Sequence, residues 1–301
     1  MALSSYTMPI QAGDVELIHS ILKEQGFEMK EKPYAHFSGK KDKLNVTVYQ
    51  KGPKVLVQGK GTEDFVRFTL EPMVLGEARL GYEEINEPEM FEPHFGIDES
   101  GKGDFFGPLV IAGVYTDADS TRALMDAGIT DSKRISSAAK IAKLAKLIRA
   151  TPCIAYEVVS IGPERYNEMY DSFKNLNRLL AWGHARVIRG LAAQVPSCPR
   201  ALSDQFARKD VLEKELARHD VALELQQRTK GESDVAVAAA SILARERFVQ
   251  WIASSSDKSG VEIPLGAGPH VIDSARELVE KHGREILPKV AKMHFKTAKE
   301  V

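Results

Sequence analysis

Downstream of Pro93 the chain alternates short apolar, β-branched runs with long stretches of helical period, and few folds accept that order. Phe95 to Asp98 and Leu109 to Tyr115 have the composition of strands, Ser136 to Arg149 is amphipathic at helical spacing, Ile154 to Ile161 is again strand-like, and Asn175 to Gln194 predicts a long helix. Ala201 to Phe206 and Val221 to Leu225 add strands, before helices from Asp234 to Ile252 and near the C-terminus. Both faces of such a sheet need cover, so the pattern predicts an α/β domain with a mixed sheet flanked by helices.

The region ahead of it has a different character. Val15, Ile18, Ile21 and Leu22 keep helical spacing and Gly26 supplies a stop. Leu44, Val46 and Val48, the turn Lys51-Gly52-Pro53-Lys54, then Val55 and Val57 carry a hairpin signature, and a second helix is expected from near Thr62. These residues predict a small α+β domain over 1–82. The acidic stretch 83–93, with Pro88 and Pro93 and no periodicity, reads as a linker to a larger domain over 94–301.

Net charge alone argues against a nucleic-acid partner, because 41 Lys and Arg stand against 42 Asp and Glu in 301 residues. The charge is unevenly placed, however. Lys30, Lys32, Lys40, Lys41, Lys43, Lys51, Lys54 and Lys60 crowd the first hairpin region against Glu31 and Asp42. They give either a basic binding face or a face kept charged against edge association. From Ser132 to Ala150 the chain holds Lys133, Arg134, Lys140, Lys143, Lys146 and Arg149 and no acid. Lys140, Lys143 and Lys146 fall on one helix flank opposite Ile141, Leu144 and Ile148, which suits phosphate contact and a solvated face equally.

Two cysteines, Cys153 and Cys198, exclude a disulfide framework and a Cys-ligated zinc site. The longest apolar stretch, Val235 to Ala244, falls far short of the roughly 18–20 residues that span a bilayer. Asp14 and Glu16 interrupt any basic-then-apolar leader. A cytoplasmic protein without a membrane partner, monomeric by default, is expected.

The chemistry concentrates in Gly96-Ile97-Asp98-Glu99-Ser100-Gly101-Lys102-Gly103-Asp104. Two adjacent carboxylates end an apolar strand, and consecutive strand residues point to opposite faces, so they share a site only if the strand stops and the chain turns there. Gly101 and Gly103 allow that turn and a close approach of a ligand to backbone N–H groups, with Lys102 adding positive charge. An ordinary hairpin turn with surface acids is the competing reading. The spacing of a phosphate-binding P-loop is absent. Asp204 also ends an apolar run, whereas Asp234 opens an Ala-rich helix and is equally suited to a cap. Converging on one sheet edge without a His/Cys cluster, these acids would suit Mg2+ or Mn2+, and two such ions are the arrangement used in phosphodiester hydrolysis. His184 and Trp182 read as helix-packing residues, and His270 as a loop or cap residue.

Ordered motifs then carry a specific resemblance. Asp98-Glu99-Ser100-Gly101-Lys102-Gly103-Asp104 with Phe105-Phe106-Gly107-Pro108, Thr130-Asp131-Ser132-Lys133, Tyr166-Asn167, Leu176 to His184, Ser203-Asp204-Gln205-Phe206 and Ser233 to Ser241 together resemble the type 2 ribonucleases H, ribonuclease HIII in particular, over nearly the whole chain. The resemblance implies a ribonuclease H-like fold preceded by a substrate-binding domain similar to the TATA-binding protein fold. It also implies endonucleolytic hydrolysis of the RNA strand of an RNA/DNA hybrid with two divalent ions, leaving 5′-phosphate and 3′-hydroxyl ends. Carried over by position, Asp98, Glu99, Asp204 and Asp234 are the implied catalytic and metal-binding acids. Ser100, Gly101, Lys102, Gly103, Ser132 and Lys133 are the implied substrate contacts. A junction endonuclease of the ribonuclease HII kind, and a hybrid-binding protein without catalysis, are the alternatives.

Overall fold

In the computed structural model, which describes residues 3–76, 83–129, 135, 137–206, 208–218, 221–229 and 231–301, the hairpin forms with Val46 opposite Val57 and Val48 opposite Val55. It belongs to the first of two compact units, Met1–Pro88 and Glu89–Val301. Strands β1 (Ser5–Pro9), β2 (Glu28–Lys30), β3 (Ala35–Lys41), β4 (Leu44–Tyr49) and β5 (Lys54–Gly59) make an antiparallel sheet in the order β1-β5-β4-β3-β2. Helix α1 (Asp14–Glu24) and helix α2 (Thr62–Phe65), continued by the wide-turned segment Val66–Leu75, accompany the sheet. Ile18, Leu22, Val66 and Leu70 join the alternate valines of β4 and β5 in one core. On the alternate positions Leu56 sits between Thr7 and Thr47, and Lys40, Asn45, Gln58 and Ser5 stand side by side in register, all exposed. Lys32 and Lys54 each hold their ammonium 5.5 Å from the ring of Tyr49.

The acidic stretch expected as a linker is not free along its length. After helix α3 (Glu83–Asn86), the single turn Pro88–Phe91 buries Met90 and Phe91 in the core of the second unit. Two large apolar side chains outweigh the surrounding acids here. The expected boundary at residue 82 lies outside the described residues.

The second unit is a mixed sheet flanked by helices. Strands β6 (His94–Ser100), β7 (Leu109–Thr116), β8 (Ala155–Ile161), β9 (Arg200–Asp204) and β10 (Glu224–Arg228) lie in the order β10-β9-β6-β7-β8. β6, β9 and β10 are parallel, β7 runs against them, and β8, antiparallel to β7, runs in their direction again. Helices follow in chain order as α4 (Ala118–Asp126), α5 (Ala138–Ala150), α6 (Pro163–Phe173), α7 (Leu176–Gln194), α8 (Lys209–Ala217), α9 (Val235–Ser259), α10 (Pro269–His282) and α11 (Leu287–Val290). α4, α5, α9 and α10 share one core with Val110, Ala112 and Val114, while α6, α7 and α8 share the other with Phe95, Ile97, Leu109 and Ile111. The last strand sits three residues beyond the expected Val221 to Leu225, because it runs through the polar Gln226 and Gln227, where hydrophobicity gives no signal. Among the described residues no helix is long and apolar enough to cross a membrane.

Helix α9 fixes the site. Its alanines Ala236, Ala239, Ala240 and Ala244 are fully buried, and their small side chains let the helix lie directly on β6. A Cβ on Gly96 would stand 2.2 Å from the backbone of Ala236 and Val237, so glycine is required there.

Candidate active site

Strand alternation sends Asp98 and Glu99 to opposite faces of the sheet, and the end of β6 lets both reach one cleft. Asp98 meets α9, where it hydrogen-bonds Ser241, and its Oδ1 accepts from the Glu99 amide at 2.8 Å. Glu99 meets α7, where Oε2 lies 3.1 Å from Nε2 of the fully buried His184, while Oε1 lies 3.4 Å from Lys102 Nζ. Asp204, at the end of the neighbouring β9, accepts at Oδ1 from the Gly231 amide at 3.1 Å. All three acids line a cleft of about 390 Å³ together with Ser100, Gly101, Lys102, Gly103 and Asp104.

The loop that closes the cleft turns at Gly101, whose φ is +87° and where a Cβ would meet the Pro108 carbonyl oxygen at 2.2 Å. A residue with a side chain would be strained and would clash there. Asp104, at the end of the turn, accepts from the Gly266 amide at 2.6 Å.

Electrostatics separate the two neighbouring carboxyls. Burial, and then the charge of Glu99, pushes Asp98 up to about 7. Burial acts on Glu99 in the same direction, but the hydrogen bond and charge of His184 and of Lys102 outweigh it and hold its carboxyl below the ordinary range. The expectation that His184 is a packing residue is corrected accordingly. It does pack, but it also touches Glu99 and lies 3.2 Å at Nδ1 from Ser203 Oγ, which donates to the Asp204 carbonyl. One imidazole thus ties the ends of β6 and β9 together.

Asp234 is not brought to this cleft. Its Oδ1 accepts from the amides of Ala236 (2.9 Å) and Val237 (3.2 Å), and both carboxylate oxygens lie 3.1 Å from Nε2 of buried His94. His94 donates from Nδ1 to the Glu92 carbonyl at 2.7 Å. A carboxylate at the start of a 25-residue helix is favoured by the unpaired amides and the helix dipole, and here that role takes the side chain. The capping reading, held equal in the sequence, is the one observed. Ser132 and Lys133 lie outside the described residues. His270 bonds the Leu265 carbonyl at 3.0 Å, within its own loop.

Sequence reasoning passed over four lining residues of α9: Ser241, Arg245, Phe248 and Val249. Their i, i+4, i+7, i+8 spacing puts them on one face of an alanine-rich helix, and that spacing was the available signal. Among the described residues, no three His, Cys, Asp or Glu side chains converge closely enough to enclose a metal ion as they stand, since Glu99 leans on His184 and Lys102 and Asp234 on His94. The donor set of the cleft nevertheless suits a hard divalent cation, because the carboxylate oxygens of Asp98, Glu99 and Asp204 gather there.

Comparison with known proteins identifies the family. A family model described as ribonuclease HII matches residues 95–298, and one described as a domain of unknown function (DUF3378) matches residues 12–72. Ribonuclease HIII of Chlamydia pneumoniae is 42% identical over 282 residues, covering 93% of this chain and 92% of its own. The Chlamydia trachomatis serovar L2 (strain ATCC VR-902B / DSM 19102 / 434/Bu) ribonuclease HIII is 41% identical over 300 residues, covering 99% and 97%. The crystal structure of Bst-RNase HIII in complex with Mn2+ aligns with a TM-score of 0.68 at 26% identity, over 99% of this chain and 97% of that one. A ribonuclease HII model spanning the second unit, with relatives of this identity along the full length, means that the chain belongs to the ribonuclease HII/HIII family of ribonucleases H.

Proposed function

We propose that this ribonuclease H cuts the RNA strand of RNA/DNA hybrids endonucleolytically, using two divalent ions, Mg2+ or Mn2+, and leaving 5′-phosphate and 3′-hydroxyl ends. The observation that carries the reading is the meeting of Asp98, Glu99 and Asp204 in one cleft, with Asp98 raised by burial and by its neighbour. When bound, the ions supply activation of water and stabilisation of the charge that grows on the departing oxygen. The protein's part is to present hard oxygen donors and to hold them. Ser241 holds Asp98, His184 holds Glu99, and the Gly231 amide holds Asp204.

The fourth acid is assigned differently from the sequence expectation. Asp234 is committed to His94 and to the start of α9. Asp234 serves instead to seat α9, which delivers Ser241 and Arg245 to the cleft.

The turn Ser100 to Gly103 is assigned to the RNA strand, where backbone groups can meet the 2′-hydroxyl that distinguishes RNA from DNA. Lys102 and Arg245 add positive charge beside the scissile phosphate, and Ser132 and Lys133 are assigned to neighbouring phosphates. Residues 1–82 are assigned to substrate binding through the exposed sheet row that carries Lys40, Asn45, Gln58 and Ser5.

The deciding experiment compares cleavage of an RNA/DNA hybrid, duplex RNA, and DNA carrying one ribonucleotide, with Mg2+ or Mn2+ and after EDTA. Hybrid cleavage that EDTA abolishes and added metal restores is the expected result. Cleavage only at the single ribonucleotide, or none on any substrate, overturns the reading.

A further inference from the structure

Lys292 is fully buried, and neither the cleft chemistry nor the sequence analysis gives it a task. Its ammonium donates to two backbone carbonyls of the loop that follows the Gly101–Gly103 turn, Asp104 O at 2.9 Å and Phe106 O at 3.2 Å. The rings of Tyr166 and Phe248 lie 5.7 Å and 6.0 Å from it. Its own amide donates to Phe105 O at 2.8 Å, the Gly107 amide donates to Val290 O at 2.9 Å, and Phe106 bridges Ala291. From outside, Asn167 grips the same C-terminal segment: Nδ2 donates to Ala291 O at 3.0 Å and Pro288 O at 3.2 Å, and Oδ1 accepts from the Met293 amide at 2.9 Å.

A buried ammonium is a costly way to fill space, since a methionine of similar length would pack there without desolvating a charge. Burial pushes Lys292 down to about 7 despite the nearby charge of Asp104, which acts the other way. What lysine offers and methionine lacks is a set of donors on a flexible stem, able to reach two carbonyls at once. Those carbonyls belong to the peptides immediately after Gly103. With Asp104 O and Phe106 O drawn inward, the orientation of the turn toward the cleft is set from behind. Phe248 adds a second support, because its ring would lie 2.9 Å from a Cβ on Gly101.

We infer that Lys292 is a positioning residue for RNA-strand recognition, holding the Gly101–Gly103 turn in its substrate-ready form through the carbonyls of Asp104 and Phe106. The inference rests on the assignment of that turn to substrate made above.

The test uses the full-length Lys292→Met protein, with steady-state cleavage of an RNA/DNA hybrid, thermal melting, and amide hydrogen exchange over residues 101–107 without substrate. A rise of about tenfold in KM is expected, with kcat per folded molecule within about twofold of the parent. Faster exchange in the loop should accompany it. Asn167→Leu, which loosens the same segment from its partly exposed side, should raise KM by a smaller factor. The double variant should fall short of the product of the two. If Lys292→Met does not fold, Asn167→Leu carries the test by itself.

An unchanged KM, with kcat falling only in proportion to the folded fraction, would show that Lys292 is a structural filler and overturn the inference. A parent protein that cleaves no hybrid would instead sink the functional reading. The exchange measurement would then still decide whether Lys292 fixes the loop, and unchanged exchange would reject that too.

Discussion

The two ends of β6 carry the same pair of groups in opposite circumstances. At its start, buried His94 faces Asp234, the imidazole held by the Glu92 carbonyl and the carboxylate by the first amides of α9. At its end, buried His184 faces Glu99, but the carboxylate's other oxygen opens on the cleft, 3.4 Å from Lys102 Nζ. A histidine–carboxylate pair is therefore not in itself a sign of chemistry here. The number of lone pairs left free after the fold has taken its share is what separates a fastening from a site.

Four measurements would break or sharpen that comparison. The largest effect is expected for Asp98→Asn. It should lower kcat on hybrid by about a thousandfold, the equivalent of several kcal/mol of lost transition-state stabilisation, while hybrid affinity is retained. Near-normal turnover at saturating Mg2+ would remove Asp98 from the machinery. His184→Ala should come next, at about 10–100-fold in kcat, the usual cost of losing the group that orients a ligand. A variant as active as the parent would reduce the Glu99 contact to packing.

Asp234→Asn should mainly affect stability, by about 1 kcal/mol for the weakened cap. Activity per folded molecule should stay within a few-fold. Thermal melts read beside cleavage rates separate the two effects. An Asp234→Asn protein that folds normally and is dead would erase the distinction between the ends of β6.

The smallest effect is a pH slope. Because Asp98 is raised to about 7 from 3.8, the folded chain holds a proton that the unfolded chain has lost between those values. Stability then falls as pH rises through that window. In EDTA the Tm should decline between pH 5 and pH 7, and Asp98→Asn should flatten the curve. An equal slope in the variant would place the effect elsewhere.

Much of the fold was legible because its elements announce themselves locally. The alternating valines of β4 and β5 specify register as well as strand, and α7 begins where the sequence expects it, with Asn175 as its cap, Oδ1 accepting from Asn177 and Arg178. β10 was misplaced because its pairing with β9, and not its side chains, makes it a strand. The cleft was half legible. Asp98, Glu99 and Asp204 follow from strands ending in acids, but a lone Asp before an apolar helix looks the same as cap or ligand until its neighbours are known. His94, brought to Asp234 from the far end of β6, decides the matter and cannot be read locally. The same holds for His184 and Lys292, whose partners lie on distant parts of the chain.

The strand order also has a consequence for the chain as it is made. β7 and β8 pair with their immediate predecessors, β6 and β7, whereas β6 meets β9 only after α4 to α7 have been added, and α9 follows later still. A growing polypeptide that has reached Ile161 can form three antiparallel strands, yet it holds Asp98 and Glu99 without Asp204, Ser241 or the lysine behind the loop. Local pairings form early and long-range parallel ones late. The blade is thus the last part of the molecule to be fitted, and an unfinished copy has no means to cut the nucleic acid around it.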